Sequence, residues 1–294
     1  MKFKVSFEIL RPINDIMGSL TVVIGLLNTR RGIDPIILII NLILGVLAYF
    51  LIAGSGMVIN DIYDYKSGID IINRPERPLP SERLTVKQAI IIYSVTLSIG
   101  IIISIIHSVI FELGFLNIIL AVFFGFIGWL YAAWGKKSGF FGNIIVSVSF
   151  SIGLIYGAVL NNSAIPLYIY FFFSTSFFLL LAREIIKGCE DIEGDKEQGV
   201  KTLAIQIGIK KATLFSMISA LLAILFFVLP LFTPIINPIL FLISMICGLV
   251  IVIFAIILML KKNLVKKDFS KISLLLKIGA FLGLIAFILA SILK

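Results

Sequence analysis

A chain of 294 residues that is 60% hydrophobic and only 14% charged, with a mean hydropathy of +1.14, lies far outside the composition of soluble globular domains and of disordered segments. It reads as a polytopic membrane protein, an all-α helical bundle. The net charge of +9 comes from Lys and Arg gathered near the ends of apolar stretches, with no nucleic-acid-binding motif beside them, so it reports topology and a surface that attracts anionic headgroups.

In chain order, Lys2 and Lys4 lead into Phe7, Ile9, Leu10 and Pro12 without a small-residue cleavage site, the pattern of an interfacial lead-in helix. Apolar stretches of spanning length then run roughly over 13–27, 36–58, 89–106, 115–133, 144–160, 165–182, 212–231, 239–260 and 272–293, which predicts about nine transmembrane helices. With the N-terminus in the cytoplasm, every Lys and Arg except Arg30, Arg31 and Lys294 falls on the inner side. Two polar interruptions are long, roughly 60–86 and 183–211, and both follow even-numbered spans, so both are expected to face the cytoplasm. Their spacing suggests a single membrane domain made of two four-helix halves, about 1–135 and 136–262, with a ninth helix at about 272–294.

In the first interruption Pro75, Pro78 and Pro80 block a continuous helix, and Ser81 or Thr85 is placed to cap the next one. In the second, Gly194, Gly199 and Gly208 punctuate a charged stretch with room for a short helix at about 201–207. Cys189 and Cys247 fit neither a disulfide nor a zinc pattern and read as packing residues. His107 reads as an interfacial residue at an outer span end, and Trp129 and Trp134 as part of an aromatic belt.

The chemistry lies in the acids. Asn60, Asp61, Asp64 and Asp70 occur in NDIYDYKSGID, and Asp191 and Asp195 in DIEGD. On a helix, Asn60 or Asp61 shares a face with Asp64, and a second row runs Arg183, Lys187, Asp191, Asp195. Carboxylates and amide oxygens are hard ligands suited to Mg²⁺, which takes one or two carboxylates plus phosphate oxygens of a substrate. Acids beside apolar spans, accompanied by Arg and Lys, therefore point to a clamp for a magnesium diphosphate. A solvated helix end is the plainer alternative for each run, and a cation-coupled transporter the alternative function, although transport acids usually sit near the bilayer midplane.

NDIYDYKSGID followed by NRPERPLPS, together with REIIKGCEDIEGDKEQGVKTLAIQIG, resembles the two aspartate motifs of the UbiA-type intramembrane prenyltransferases. The resemblance extends to ILRPINDIMGS and to LYAAWGKKSGFFGNIIVS. It departs from the family where Asp64 and Asp70 stand two residues further apart than usual, which would displace Asp70 from the metal site, and at Gly188, where many relatives carry another Asp.

The resemblance implies transfer of a long prenyl chain from its diphosphate to a lipophilic acceptor, with Asn60, Asp61, Asp64, Asp191 and Asp195 as catalytic metal-holding residues and Asp70 as the least secure ligand. Arg74, Lys137, Arg183 and Lys187 would neutralise the diphosphate, and Asn14, Asn143 and Tyr131 would line the substrate site. REIIK, EDIEGD, GVKTLAIQIG and NRPERPLPSERL resemble the archaeal ether-lipid branch most. That branch implies geranylgeranyl diphosphate as donor and the sn-2 hydroxyl of geranylgeranylglyceryl phosphate as acceptor, with Arg77, Lys136, Lys137 or Lys201 available to its phosphate. An aromatic quinone precursor such as 4-hydroxybenzoate is the alternative acceptor. The expected setting is the cell membrane with its lipids, the active site facing the cytoplasm. The oligomeric state is not legible in the sequence.

Overall fold

In the computed structural model the apolar stretches are helical over most of their length, and no β-strand occurs among the described residues, which are 3–68, 70–71, 74–161, 164–197 and 199–292. For Phe3, Ile13, Asn14, Met17 and Glu197 the description extends to the backbone alone. The helices are α1 (Phe3–Glu8), α2 (Pro12–Asn28), α3 (Pro35–Lys66), α4 (Val86–Ile110), α5 (Phe115–Ala133), α6 (Phe140–Val159), α7 (Leu167–Glu190), α8 (Ile192–Glu197), α9 (Leu203–Ile207), α10 (Ile209–Val228), α11 (Pro238–Met259) and α12 (Lys266–Ala290).

Eight helices among the described residues are long and apolar enough to cross a membrane: α3 to α7, α10 with the turn that follows it, α11 and α12. The ninth expected span falls on α2, a helix of 17 residues that includes the apolar stretch Gly18–Asn28.

Caps set several helix starts. Thr85 Oγ1 accepts the Gln88 N–H (3.2 Å) and Gln88 Oε1 accepts the Thr85 N–H (3.0 Å), a reciprocal cap that opens α4. Asp34 accepts from the amides of Ile36 and Ile37, and Pro35 supplies a first helical residue whose missing N–H is not needed there.

The chain divides into two compact units. Unit 1 comprises Met1–Trp134 with Tyr156–Ala164. Small residues let its helices approach: a Cβ on Gly18 would lie 2.7 Å from the Tyr49 hydroxyl, and one on Gly128 would lie 3.3 Å from the Gly56 Cα. The end of α6 joins this unit because Gly157 packs against the Val22 carbonyl, where a Cβ would collide, and Leu160 is buried with Val22, Leu26 and Tyr49. His107, expected at an interface, is instead fully buried. Its Nε2 pairs with Asn41 Oδ1 (2.9 Å), the Asn41 amide donates to Asn161 Oδ1 (3.2 Å), and Asn161 donates to the Leu26 carbonyl (2.9 Å). The ring is tolerated there through its Nε2 bond alone, since His107 Nδ1 is buried with no hydrogen-bond partner.

Unit 2 comprises Gly135–Ile155 with Ile165–Lys294. Phe172 of α7 stacks on Phe287 of α12, with ring centroids 3.9 Å apart, and Phe241 and Phe227 complete the cluster. Nearer the polar end, Ala182, Ile185, Ala212, Ala220 and Ile272 form a second core, and Ser216 of α10 donates to the Ala182 carbonyl (2.8 Å). Cys189 is buried in it, whereas Cys247 is exposed on α11, so only the first is a core packing residue.

Candidate active site

The first acidic motif is positioned by the length of α3. Its 32 residues rise about 48 Å, against a hydrocarbon layer of about 30 Å, so its last turns extend beyond the apolar stretch while the same rigid helix holds them. Asp61 and Asp64, three residues apart, project from one face and are both buried, at 3% and 4% exposure. After the Ser67 cap the chain reverses through Gly68, whose φ of +81° is open to glycine without cost. That reversal brings Asp70 back, at 3% exposure, so one carboxylate oxygen from each of Asp61, Asp64 and Asp70 lies within 4.8 Å of the others. The expected displacement of Asp70 does not occur, because the added residues are taken up in the turn.

Two guanidinium groups balance the three acids. Arg77 Nη1 lies 2.6 Å from Asp70 Oδ2, 3.2 Å from Asp61 Oδ1 and 3.9 Å from Asp64 Oδ2. Arg11 donates to the same Asp61 oxygen from a left-handed backbone conformation (φ 53°) between α1 and α2. Asn60 donates its amide to Asp64 Oδ2 (3.0 Å), and its own carbonyl oxygen is buried with no hydrogen-bond partner.

The segment that follows Arg77 is firmly anchored. Leu79 and Leu84 insert among Val58, Ile62 and Ala89, Ser81 Oγ donates to the Arg77 carbonyl (2.6 Å), and Arg83 grips Glu8 of α1 through two bonds of 2.7 Å. Hydrogen bonding from Arg83 holds the Glu8 carboxyl below its usual range. Of the other expected residues in this unit, Arg74 is exposed with its N–H on the Asp70 carbonyl (2.9 Å), Tyr131 is half-buried in the last turn of α5, and the side chain of Asn14 lies outside the described residues. Its neighbour Asp15 drew no expectation, yet it is buried at 2% exposure and neither of its carboxylate oxygens has a hydrogen-bond partner.

In unit 2 the second motif spans the junction of α7 and α8. Asp191 closes α7 with its N–H on the Lys187 carbonyl (3.0 Å), and Asp195 donates its N–H to the Asp191 carbonyl (2.9 Å), so the four-residue spacing of the row survives the break between helices. Asp191 and Lys187 are exposed and Asp195 is half-buried. Burial raises the Asp195 carboxyl above its usual range, the neighbouring Asp191 charge adds to this, and Lys187 opposes it.

Arg183, expected to face diphosphate, is paired with Glu184. Gly188 packs on Thr202, where a Cβ would lie 3.3 Å from that side chain, so an Asp here would have to share its space. Lys137 sits exposed in the 3-10 turn Gly135–Lys137, and Asn143 opens α6, half-buried, with its N–H on the Gly139 carbonyl (3.2 Å). Gly139 (φ +66°) is pressed so closely on the Lys201 carbonyl that a side chain there would collide, and this contact lays the 135–143 turn against the start of α9.

The donor set of unit 1 suits a hard divalent cation: three buried carboxylates in reach of one centre, an amide oxygen without a partner beside them, and a guanidinium already filling the cationic position. Residues 19–285 match the UbiA prenyltransferase family. The chain belongs to that family. UbiA membership makes it a membrane prenyltransferase and sets aside the transporter alternative. Among its UbiA relatives, the digeranylgeranylglyceryl phosphate synthase of Sulfolobus acidocaldarius is 36% identical, with 99% of each chain covered. That of Korarchaeum cryptofilum is 33% identical, over 96% of this chain and 95% of the relative. A solved structure concerned with digeranylgeranylglyceryl phosphate synthase in membranes superposes with a TM-score of 0.83 at 32% identity, covering 98% of each chain. A UbiA homologue from Archaeoglobus fulgidus, bound to DMAPP and Mg²⁺, shares the fold with a TM-score of 0.68 at 17% identity over 95% of this chain and 98% of its own.

Sequence reasoning found the acids but not the whole of their charge balance. In the sequence, Arg11 stands as a topology charge and Arg77 as a cation for the acceptor phosphate. A basic residue at a span end satisfies the positive-inside pattern whether or not it touches an acid, so no sequence signal separates the two uses.

Proposed function

We propose that this chain transfers a geranylgeranyl group from geranylgeranyl diphosphate to the sn-2 hydroxyl of geranylgeranylglyceryl phosphate, releasing diphosphate, as a digeranylgeranylglyceryl phosphate synthase of ether-lipid assembly. The observation that carries this reading is the buried trio Asp61, Asp64 and Asp70 in a chain that aligns end to end with relatives of that one name.

Asp61, Asp64 and Asp70, with the Asn60 carbonyl oxygen, would hold Mg²⁺, which when bound supplies the positive charge that makes diphosphate a good leaving group. Asp191 and Asp195 of the second motif are proposed as further metal-holding residues of the transfer, a role supported by the paired-motif resemblance. Lys187 and Lys137 are exposed cations in unit 2 suited to phosphate oxygens, and Asn143 is the amide proposed to orient the substrate there. Arg74, exposed directly after the trio, is proposed to meet diphosphate from the first unit. Arg183 contributes only if it leaves Glu184. The long apolar helices keep water from the allylic carbon as the diphosphate departs, and Tyr131 and the side chain of Asn14 are proposed to line the path of the prenyl chain. The setting proposed is the cell membrane, with both acidic motifs at its cytoplasmic face.

Purified full-length protein with Mg²⁺, labelled geranylgeranyl diphosphate and a choice of geranylgeranylglyceryl phosphate or 4-hydroxybenzoate tests the acceptor. The proposal expects label in a digeranylgeranyl ether phosphate. Label only in the aromatic product would overturn it.

A further inference from the structure

The three carboxylates that would bind a divalent ion are already held by a cation of the chain itself. Arg77 Nη1 reaches one oxygen of each acid, at 2.6, 3.2 and 3.9 Å, with its side chain only 13% exposed. A divalent ion bonded to the same acids would sit about 2.1 Å from its ligand oxygens. Both draw on the same three carboxylates, so ion and guanidinium would stand within a few ångströms of each other among nearly buried side chains, where repulsion between like charges is weakly screened. Arg77, which reaches all three acids, would therefore compete with the ion for them.

Building on the proposed metal site, we propose that Arg77 is a displaceable internal counter-ion: it pairs with Asp61, Asp64 and Asp70 until a divalent ion takes them, and the freed guanidinium then pairs with the diphosphate that accompanies the ion. The chain supports both halves of this exchange. Arg11 stays on Asp61 and keeps part of the acid charge compensated during the change. Arg77 lies in the segment after the trio, whose anchors at Leu79, Leu84 and Arg83 all follow it in sequence. Its side chain can therefore swing while those anchors remain seated. The exchange makes ion and diphosphate binding mutually reinforcing, since each removes a competitor or supplies a partner for the other.

The test measures Mn²⁺ binding to full-length protein in detergent by electron paramagnetic resonance, with and without inorganic pyrophosphate. Without pyrophosphate, Arg77→Gln should bind Mn²⁺ about tenfold tighter than wild type, about 1.4 kcal/mol, whereas Arg77→Lys, which keeps the charge, should stay near wild type. Pyrophosphate should tighten Mn²⁺ binding in wild type and do so far less in Arg77→Gln. Equal or weaker Mn²⁺ binding by Arg77→Gln, with binding lost in Asp64→Asn, would overturn the exchange and leave the metal site standing. Undiminished binding in Asp64→Asn would bring down the metal site itself, and the exchange with it. Should Arg77→Gln not fold, hydrogen exchange on wild type decides: Mg²⁺ alone should raise exchange in the 74–78 stretch and Mg²⁺ with pyrophosphate should lower it, and no rise with Mg²⁺ alone would contradict the proposal.

Discussion

Asp61, Asp64 and Asp70 are buried to a few per cent exposure, and a cluster of that charge density survives only because two arginines compensate it. Asp70 is the sharpest residue-level test, because its sequence spacing and its position point in opposite directions. Asp70→Asn should lower turnover by about a hundredfold, with a melting temperature that still shows a folded protein. Turnover within about twofold of wild type would mean that Asp70 is not part of the metal-holding set. The acids themselves were legible in the sequence, since carboxylates beside long apolar runs have few other uses. Their arginines were not, and the reversal at Gly68 that restores Asp70 was hidden because its effect depends on the left-handed backbone at that glycine rather than on residue type. Asp15 was overlooked for a related reason: a single acid in a first helical turn usually reads as a helix-dipole partner, and only the packing against Gly54 shows it buried.

At the scale of elements, α1 and the segment 74–85 are clasped by Glu8 and Arg83. The Glu8 carboxyl is held below the ordinary range of a glutamate by its bond to Arg83, so the folded form releases its proton more readily than the unfolded one. The contribution of this pair is therefore fully present above about pH 4.5 and is lost as pH falls through the lower, folded value. Wild-type α1 should stay protected from hydrogen exchange at pH 5, whereas Glu8→Gln should show raised exchange in α1 at pH 5 and pH 7 alike. Identical exchange in the two proteins would show that the clasp does not hold α1. The contact of α2 with α6 depends on a different feature, the missing side chain of Gly157 against the Val22 carbonyl. Gly157→Ala should cost about 1–3 kcal/mol, read as a lowered melting temperature in detergent, and an unchanged melting temperature would contradict that packing. The Thr85 cap and the short helix near 203–207 were readable from local chemistry, because caps and glycine stops act within a few residues. Gly157 was not, since nothing near it in the sequence names Val22 as its neighbour.

For the molecule as a whole, hydropathy carried most of the fold: runs of apolar residues long enough to span a membrane leave helices as the only structure that satisfies their backbone. The pattern gave no sign of the polar residues that pair among the apolar helices, as His107, Asn41 and Asn161 do. Function depends on whether both acidic motifs serve one metal-dependent transfer, and one comparison addresses this directly. Mg²⁺-dependent formation of the digeranylgeranyl product should be measured for wild type, Asp64→Asn and Asp195→Asn, each purified and shown to be folded. The account predicts robust product that requires Mg²⁺ in wild type and a loss of at least about a hundredfold in each variant. Near-normal turnover in either variant, or product formed by wild type without a divalent ion, would contradict it.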